Sequence, residues 1–342
     1  MANLTRANRE LYRRSPDERF ESLDALELHC QQQRETSQDR WHLPQRLQPR
    51  PTTGGLQLAA GDDGEFLLND WSFSQICRLG GVSKDTVNRV SEETASRILQ
   101  ETLPVGEKPV QLLTTGSTVR SVHGVAYSRL WNADLLAMVR EFATDYQPPQ
   151  TAYDGSTGLY CGEQDLFCFL IDPAGWTEID GEQFAPGFFV WNSEVGRRSL
   201  GISSFWFQKI CQNHIVWDAI EVVDFTRKHT GNVRESLNDM RRIIEAQVAK
   251  RDARRDGFAA AVRKAMTATA GASTDDATKF LLKQGISRDQ VGRAVQQLAR
   301  EGKPFTLWTL VDELTRLNRD ITFAGDRMEA DSKVAQLLAL AV

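Results

Sequence analysis

Residues 186–217 read PGFFVWNSEVGRRSLGISSFWFQKICQNHIVW, and this stretch decides the fold class. An extended strand turns successive side chains to opposite faces. On that pattern Phe189, Trp191, Ser193 and Val195 share one face, and Phe188, Val190, Asn192, Glu194 and Gly196 share the other. Aromatic and β-branched residues favour a pleated, half-buried surface, so a strand is predicted from Phe188 to Ile202. Its middle carries Asn192, Ser193, Glu194, Arg197 and Arg198. Polar side chains placed there either hold a sheet together or meet a ligand.

Working outward, Leu159 to Ile171 supplies another strand, with Asp180-Gly181 as the turn between the two. Gln111–Leu113 and Val119–Tyr127 are also strand-like, and a helix is predicted from Ala133 to Phe142 behind an Asn132 cap. Tyr146 to Gly158 reads as a loop. From Ser204 onward the pattern is helical, with breaks near Gly231, Gly271, Gly285 and Gly302. Upstream, Ser15-Pro16-Asp17-Glu18 has the grammar of a helix start, and Phe20, Leu23, Leu26 and Leu28 extend it to about Gln33. Arg40 to Gly55 contains Pro44, Pro49, Pro51 and Gly54-Gly55, and reads as linker. Ser72 and Gln75 suggest a second capping box, with a helix stop at Gly80-Gly81 and a new helix from Ser83 to about Leu99. The expected architecture is α+β: a mixed antiparallel-sheet core, flanking helices and an all-helical C-terminal third. Its expected divisions are an N-terminal arm and linker (1–60), a core (61–230) and a helical region (231–342).

Composition narrows the function classes. A chain of 342 residues with 41% hydrophobic content can bury a sizeable core. No apolar run approaches the length of a membrane span. Five scattered cysteines without a C-x-x-C pattern fit reduced thiols in a cytoplasm and supply no zinc spacing. A net charge of −5 argues against coating nucleic acid by bulk attraction, so phosphate contacts would need local patches.

Three places offer such patches. Residues 76–90, ICRLGGVSKDTVNRV, follow the pattern of a helix-turn-helix, with Cys77 at the crossing and Gly81 in the turn. Ser83, Lys84, Thr86, Asn88 and Arg89 would then form the exposed face. The structural alternative is an ordinary capped helix pair, and residues 280–298 carry a weaker version. The second place runs from Phe225 to Lys264. Its eleven Lys/Arg face five acids, and Arg227, Lys228, Arg234, Arg241 and Arg242 are its leading candidates for a phosphate-binding stripe. A solvated helix laced with ion pairs would look the same. The third is Arg197-Arg198 beside Phe205-Trp206-Phe207, which could hold single-stranded DNA by charge and stacking unless those aromatics are core.

Catalytic patterns are weaker. The five histidines have no metal-binding spacing, and neither a P-loop nor a dinucleotide fingerprint occurs, so no cofactor or metal is expected. An enzyme reading would have to assemble His123, Glu194 and His229 by folding.

The strings Asn192-Ser193-Glu194-Val195-Gly196, Ser199-Leu200 and Cys211-Gln212-Asn213 resemble the phage/plasmid-like proteins of domain-of-unknown-function family 932. Val119-Arg120, Ala126-Tyr127-Ser128-Arg129-Leu130, the helix from Phe73 to Val90, and Thr226-Arg227-Lys228-His229 fit the same resemblance, which runs from about Phe66 to Leu338. His214 departs from it, since family members tend to carry glycine after the asparagine. The resemblance implies a setting on mobile DNA and no particular reaction. The combined expectation is a non-enzymatic, cytoplasmic, homo-oligomeric DNA-binding protein acting in replication or recombination, including single-strand binding or annealing. A protein-interaction module and an enzyme are the alternatives.

Overall fold

The computed structural model describes residues 10–149, 158–209, 214–215, 225–227, 233–249 and 251–341. The chain begins with β1 (Glu18–Arg19), α1 (Leu23–Glu35), β2 (Ser37–His42), β3 (Leu47–Thr52), β4 (Gly55–Ala60) and β5 (Glu65–Leu68). Three helices follow, α2 (Asp70–Leu79), α3 (Lys84–Val87) and α4 (Glu92–Thr102), then β6 (Val110–Thr115), β7 (Thr118–Gly124) and α5 (Asn132–Phe142). Next come β8 (Leu159–Cys161), β9 (Leu166–Ile171), β10 (Thr177–Ile179), β11 (Glu182–Asn192) and β12 (Leu200–Gln208). The short β13 (His214–Ile215) and β14 (Phe225–Arg227) end the strands. Six helices close the chain: α6 (Val233–Ala249), α7 (Arg251–Thr267), α8 (Thr274–Lys283), α9 (Arg288–Arg300), α10 (Leu307–Asn318) and α11 (Ala324–Ala339). The fold is α+β with a helical C-terminal third.

Two sheets divide the strands. A six-stranded sheet has the order β2-β6-β7-β5-β4-β3 and is antiparallel except for β5 against β7. An eight-stranded sheet runs β1-β8-β9-β11-β12-β13, with β10 beside β11 and β14 beside β12. Both faces of the latter are covered, which explains why β9, β11 and β12 are apolar almost throughout. Phe188, Val190 and Ile202 pack with Leu26 of α1, Leu136 and Val139 of α5, and Met240 of α6. On the opposite face Phe169, Phe189, Trp191 and Phe205 meet Ala324 and Ala335 of α11. The C-terminal helices form a further core that Phe184 and Trp206 enter from the sheet, and Trp206 stacks on Phe258 at 4.3 Å.

Several local expectations are corrected. The strand predicted from Phe188 to Ile202 is two strands, parted by a turn after Asn192, and Phe205-Trp206-Phe207 lies in β12 rather than opening a helix. Arg40 to Gly55 is sheet instead of linker. β3 is an edge strand, where Pro49 and Pro51 can be tolerated without an amide donor. The first helix starts behind Ser22, not Ser15, because β1 pairs with β8 over Glu18–Arg19. Asn69 and Ser72 form the capping box of α2, replacing the expected Ser72 and Gln75. Gln75 instead accepts from the Val122 amide at 2.8 Å. Asn132 is the first residue of α5, with Trp131 in the cap position. The helix expected from Ser83 to Leu99 breaks into α3 and α4, with Ser91 capping the second.

Gly201 lies opposite Trp191 in the β11–β12 register, and a Cβ there would fall inside the indole. Overpacking of this kind costs about 1–3 kcal/mol. Gly201→Ala is therefore expected to lower the urea midpoint without changing the slope of the transition. An unchanged midpoint would show that the Trp191 side of the sheet is loosely packed.

Candidate nucleic-acid interface

The polar residues of the opening stretch lie where β11 leaves its sheet. Gly196 takes φ +71°, and its amide donates to Ser193 O at 3.1 Å, closing a turn. Asn192, Ser193, Glu194 and Val195 are at most 1% exposed. Their polar groups are spent on other parts of the chain. Asn192 Nδ2 donates to Leu130 O (2.9 Å) and to Asn132 Oδ1 (2.8 Å). The Ser193 hydroxyl donates to Gln164 O at 2.5 Å and accepts from the Arg197 amide at 2.8 Å.

Glu194 is the centre of this arrangement. Its carboxylate receives Arg120 Nη1 of β7 at 2.8 Å and the Asn132 amide of α5 at 2.7 Å. Its carbonyl oxygen accepts from the Tyr127 hydroxyl at 2.8 Å and from Arg129 Nη1. Arg129 continues to Asp39 of β2 at 2.8 Å. The turn therefore fastens the end of β11 to the six-stranded sheet and to the first turn of α5. Arg120, Tyr127, Arg129 and Glu194 come from three separated strings, and they meet at this one place.

The same turn sets a corner on the surface. Trp71, in the first turn of α2, donates its indole N–H to Val195 O at 2.7 Å. Arg197 lies over the Trp71 ring at 5.9 Å and Arg78 over it at 6.0 Å. Arg78 follows Trp71 by two helical turns, so both occupy one side of α2. Arg78 and Arg197 are exposed, and among the described residues neither guanidinium has a carboxylate partner. Two exposed guanidiniums within about 6 Å of one indole ring, without a carboxylate partner among the described residues, can receive an anion.

The other predicted contacts divide sharply. Lys84 pairs with Asp70 at 2.6 Å, and Ser83 and Thr86 form the N-terminal cap of α3 at 3.4 Å. Asn88 was expected on an exposed face but is buried, exchanging bonds of 2.8 Å with the Tyr12 amide and carbonyl. With only four residues, α3 is too short to serve as a groove-reading helix. Arg89 is exposed on the turn after it. Arg198 is instead neutralised, by buried Asp165 at 2.8 Å and by Asp326 and Glu329 of α11.

On α6, Arg241 pairs with Glu141 at 3.0 Å and lies over Phe142 at 4.3 Å, while Arg242 is 3.9 Å from Asp239. These contacts engage two arginines of the expected basic stripe, and the sequence count could not show that Glu141 of α5 faces Arg241. Lys228 and His229 lie outside the described residues, as do the side chains of Arg227 and Arg234. Phe205, Trp206 and Phe207 are at most 1% exposed, so the expected stacking platform for bases is core.

The His123–Glu194 arrangement is likewise structural at its carboxylate, which is enclosed by Arg120 and Asn132. His123 stacks on Tyr127 with ring centroids 3.6 Å apart. Among the described residues no group of three or more His, Cys, Asp or Glu side chains is placed to hold a metal ion. Glu163, in the β8–β9 turn, is pushed up to about 7 by burial first and by the neighbouring Asp70 second.

Arg120→Met would leave the Glu194 carboxylate buried without its charge partner, at an expected cost of about 3–5 kcal/mol in urea unfolding. Combining it with Glu194→Gln should recover part of that loss, whereas additive losses would show that the two side chains are uncoupled. Because the folded-state value of Glu163 lies above its ordinary 4.5, the folded form holds the extra proton between 4.5 and about 7. Its contribution is present at low pH and is lost as pH rises through that window. Glu163→Gln should make stability fall less between pH 5 and 7.5, as read by unfolding at several pH values; an identical pH slope would contradict the assignment.

No family model, curated protein or solved structure matches this chain.

Proposed function

We propose that the protein is a non-enzymatic DNA-binding protein of a mobile element, acting in the cytoplasm as a homo-oligomer in replication or recombination. The supporting observation is the pair Arg78 and Arg197, held over Trp71 without a carboxylate partner among the described residues. In a chain of net charge −5, Arg120, Arg129, Arg198, Arg241 and Arg242 are engaged by acids, whereas among the described residues Arg78 and Arg197, which share the Trp71 ring, and Arg89 are not, which favours a polyanion there. The resemblance of the Asn192–Gly196 and Ala126–Leu130 strings supplies the mobile-DNA setting.

Trp71 is only 8% exposed and its N–H is occupied, so it supports the arginines and does not stack on bases. Contact is therefore to the sugar–phosphate backbone. That chemistry is common to single and double strands, and it leaves strand annealing within the proposal. Arg89, exposed on the turn after α3, is the next cation in line for a phosphate. No helix among the described residues is long and apolar enough to cross a membrane.

Fluorescence anisotropy with labelled single- and double-stranded DNA, from about 50 mM to about 300 mM salt, tests this. Each neutralised phosphate contributes a slope of roughly −0.9 on duplex and roughly −0.7 on single strands in log K against log salt. Arg78→Ala and Arg197→Ala should each weaken binding by about fivefold or more and together flatten the slope by nearly two phosphates. Arg241→Ala should leave binding close to wild type. Absence of binding at the lowest salt, or indifference to both Arg78 and Arg197, would overturn the proposal.

A further inference from the structure

In the C-terminal third, a short glycine-bearing turn joins two packed helices. α8 stops at Lys283, and Gln284-Gly285-Ile286-Ser287 leads directly into α9. Gly285 takes φ +75°, the left-handed conformation that favours glycine, and its amide donates to Leu282 O at 3.0 Å. Ile286 then enters the core, its amide donating to Leu281 O at 3.2 Å. The Ser287 hydroxyl caps α9 by accepting from the Gln290 amide at 3.3 Å. Leu281 of α8 shares one buried core with Val291, Ala294, Val295 and Leu298 of α9, which also packs on α10. Two helices packed across a four-residue glycine turn make a helix-turn-helix. At 13 residues, α9 has the length that α3 lacks.

We propose that α9 is the groove-reading helix of a duplex-DNA site, with the turn and its neighbours meeting the backbone. The choice of DNA as ligand rests on the reading above, whereas the surface is a separate one. Outside its buried stripe, α9 carries Arg288, Gly292, Gln296 and Arg300 in a single i,i+4 row. Residues 279–300 hold five cations, Lys279, Lys283, Arg288, Arg293 and Arg300, against one acid, Asp289. Arg293 is held by Asp320 at 2.7 Å. The other four are exposed and have no carboxylate partner among the described residues. Lys333 of α11 joins them at the turn, its Nζ 3.7 Å from where a Cβ on Gly285 would lie. A polyanion complements that local surplus in an otherwise acidic chain.

Gly292 indicates how closely the partner comes. Glycine inside a helix weakens it relative to alanine. Nothing within the described chain requires it here, since an added Cβ would meet no atom within 4 Å. A glycine without an internal role leaves the helix backbone open to close approach from outside. Arg288 and Gln296 stand about one turn to either side of it. These are the types that bond guanine and adenine edges in the major groove, which is wide enough to admit an α-helix. Lys283 and Lys333 at the turn, and Arg300 at the far end of α9, suit phosphates on either side.

The test offers the full-length protein a pool of duplexes with a randomised centre, and the bound sequences are recovered and read. Enrichment of a defined site is expected. Arg288→Ala and Gln296→Ala should each weaken binding to that site about tenfold and relax it at one base pair, leaving unselected duplex unaffected. Gly292→Gln should raise the urea midpoint yet weaken the selected site about tenfold. Arg78→Ala combined with Arg197→Ala should weaken selected and unselected duplex alike. If no site is enriched while unselected DNA still binds through Arg78 and Arg197, the role of α9 is overturned and the backbone contact stands. An enriched site indifferent to Arg288, Gln296 and Gly292 would overturn it too. Selective binding that depends on α9 and ignores Arg78 and Arg197 would support α9 and overturn the earlier proposal alone. A midpoint lowered by Gly292→Gln would overturn the reading of that glycine.

Discussion

A single buried carboxylate joins the two sheets. Placing an ion where it is only 1% exposed costs several kcal/mol unless partners replace the lost water. Glu194 obtains them from Arg120 of the six-stranded sheet and from the amide of Asn132 at the start of α5. A negative side chain at that helix end is also favoured by the helix dipole. The partners are separated by 74 residues in the case of Arg120 and 62 in the case of Asn132, so the contact exists only if both sheets and α5 are in place. The surrounding polar groups follow the same rule, since Asn192, Ser193, Tyr127 and Arg129 all donate to backbone or side-chain oxygens within this junction.

The junction also governs the surface. The indole bond from Trp71 to Val195 ties α2 to the turn, and Arg197 leaves that turn directly beside the ring. One residue further on, Arg198 bridges buried Asp165 to the acids of α11. Two adjacent arginines thus have opposite fates, one locking the C-terminal helix to the sheet and the other remaining available. The same division recurs elsewhere. Arg14 is held between Asp17 and Asp165 at about 3 Å, while Asp17 also accepts from the first amide of α11.

Much of the fold was legible because it depends on local pattern. Asp180-Gly181 marked a turn, and both residues do take positive φ, 49° and 85°. Gly80-Gly81 ended α2, and Ser287 capped the helix after Gly285. The failures came from long-range contacts. Asn88 breaks the second helix of the expected pair because Tyr12, far away in sequence, captures its side chain. The proline-rich segment became an edge strand because β4 offered it a partner, which no local signal announces. For the candidate site, Arg197 was found from sequence, whereas Arg78 was not singled out, although its spacing from Trp71 was visible. The fates of Arg198 and Arg241 were not legible, because their acids lie on distant helices.

The central claim is that the Glu194 junction makes the two sheets one cooperative unit. Hydrogen–deuterium exchange on wild type and on Arg120→Met measures this most directly. Faster exchange is expected in β9 and β11 as well as in β6 and β7, although Arg120 itself belongs only to the six-stranded sheet. If exchange rises in β6 and β7 alone while β9 and β11 keep their wild-type protection, the sheets are independent and the account is contradicted.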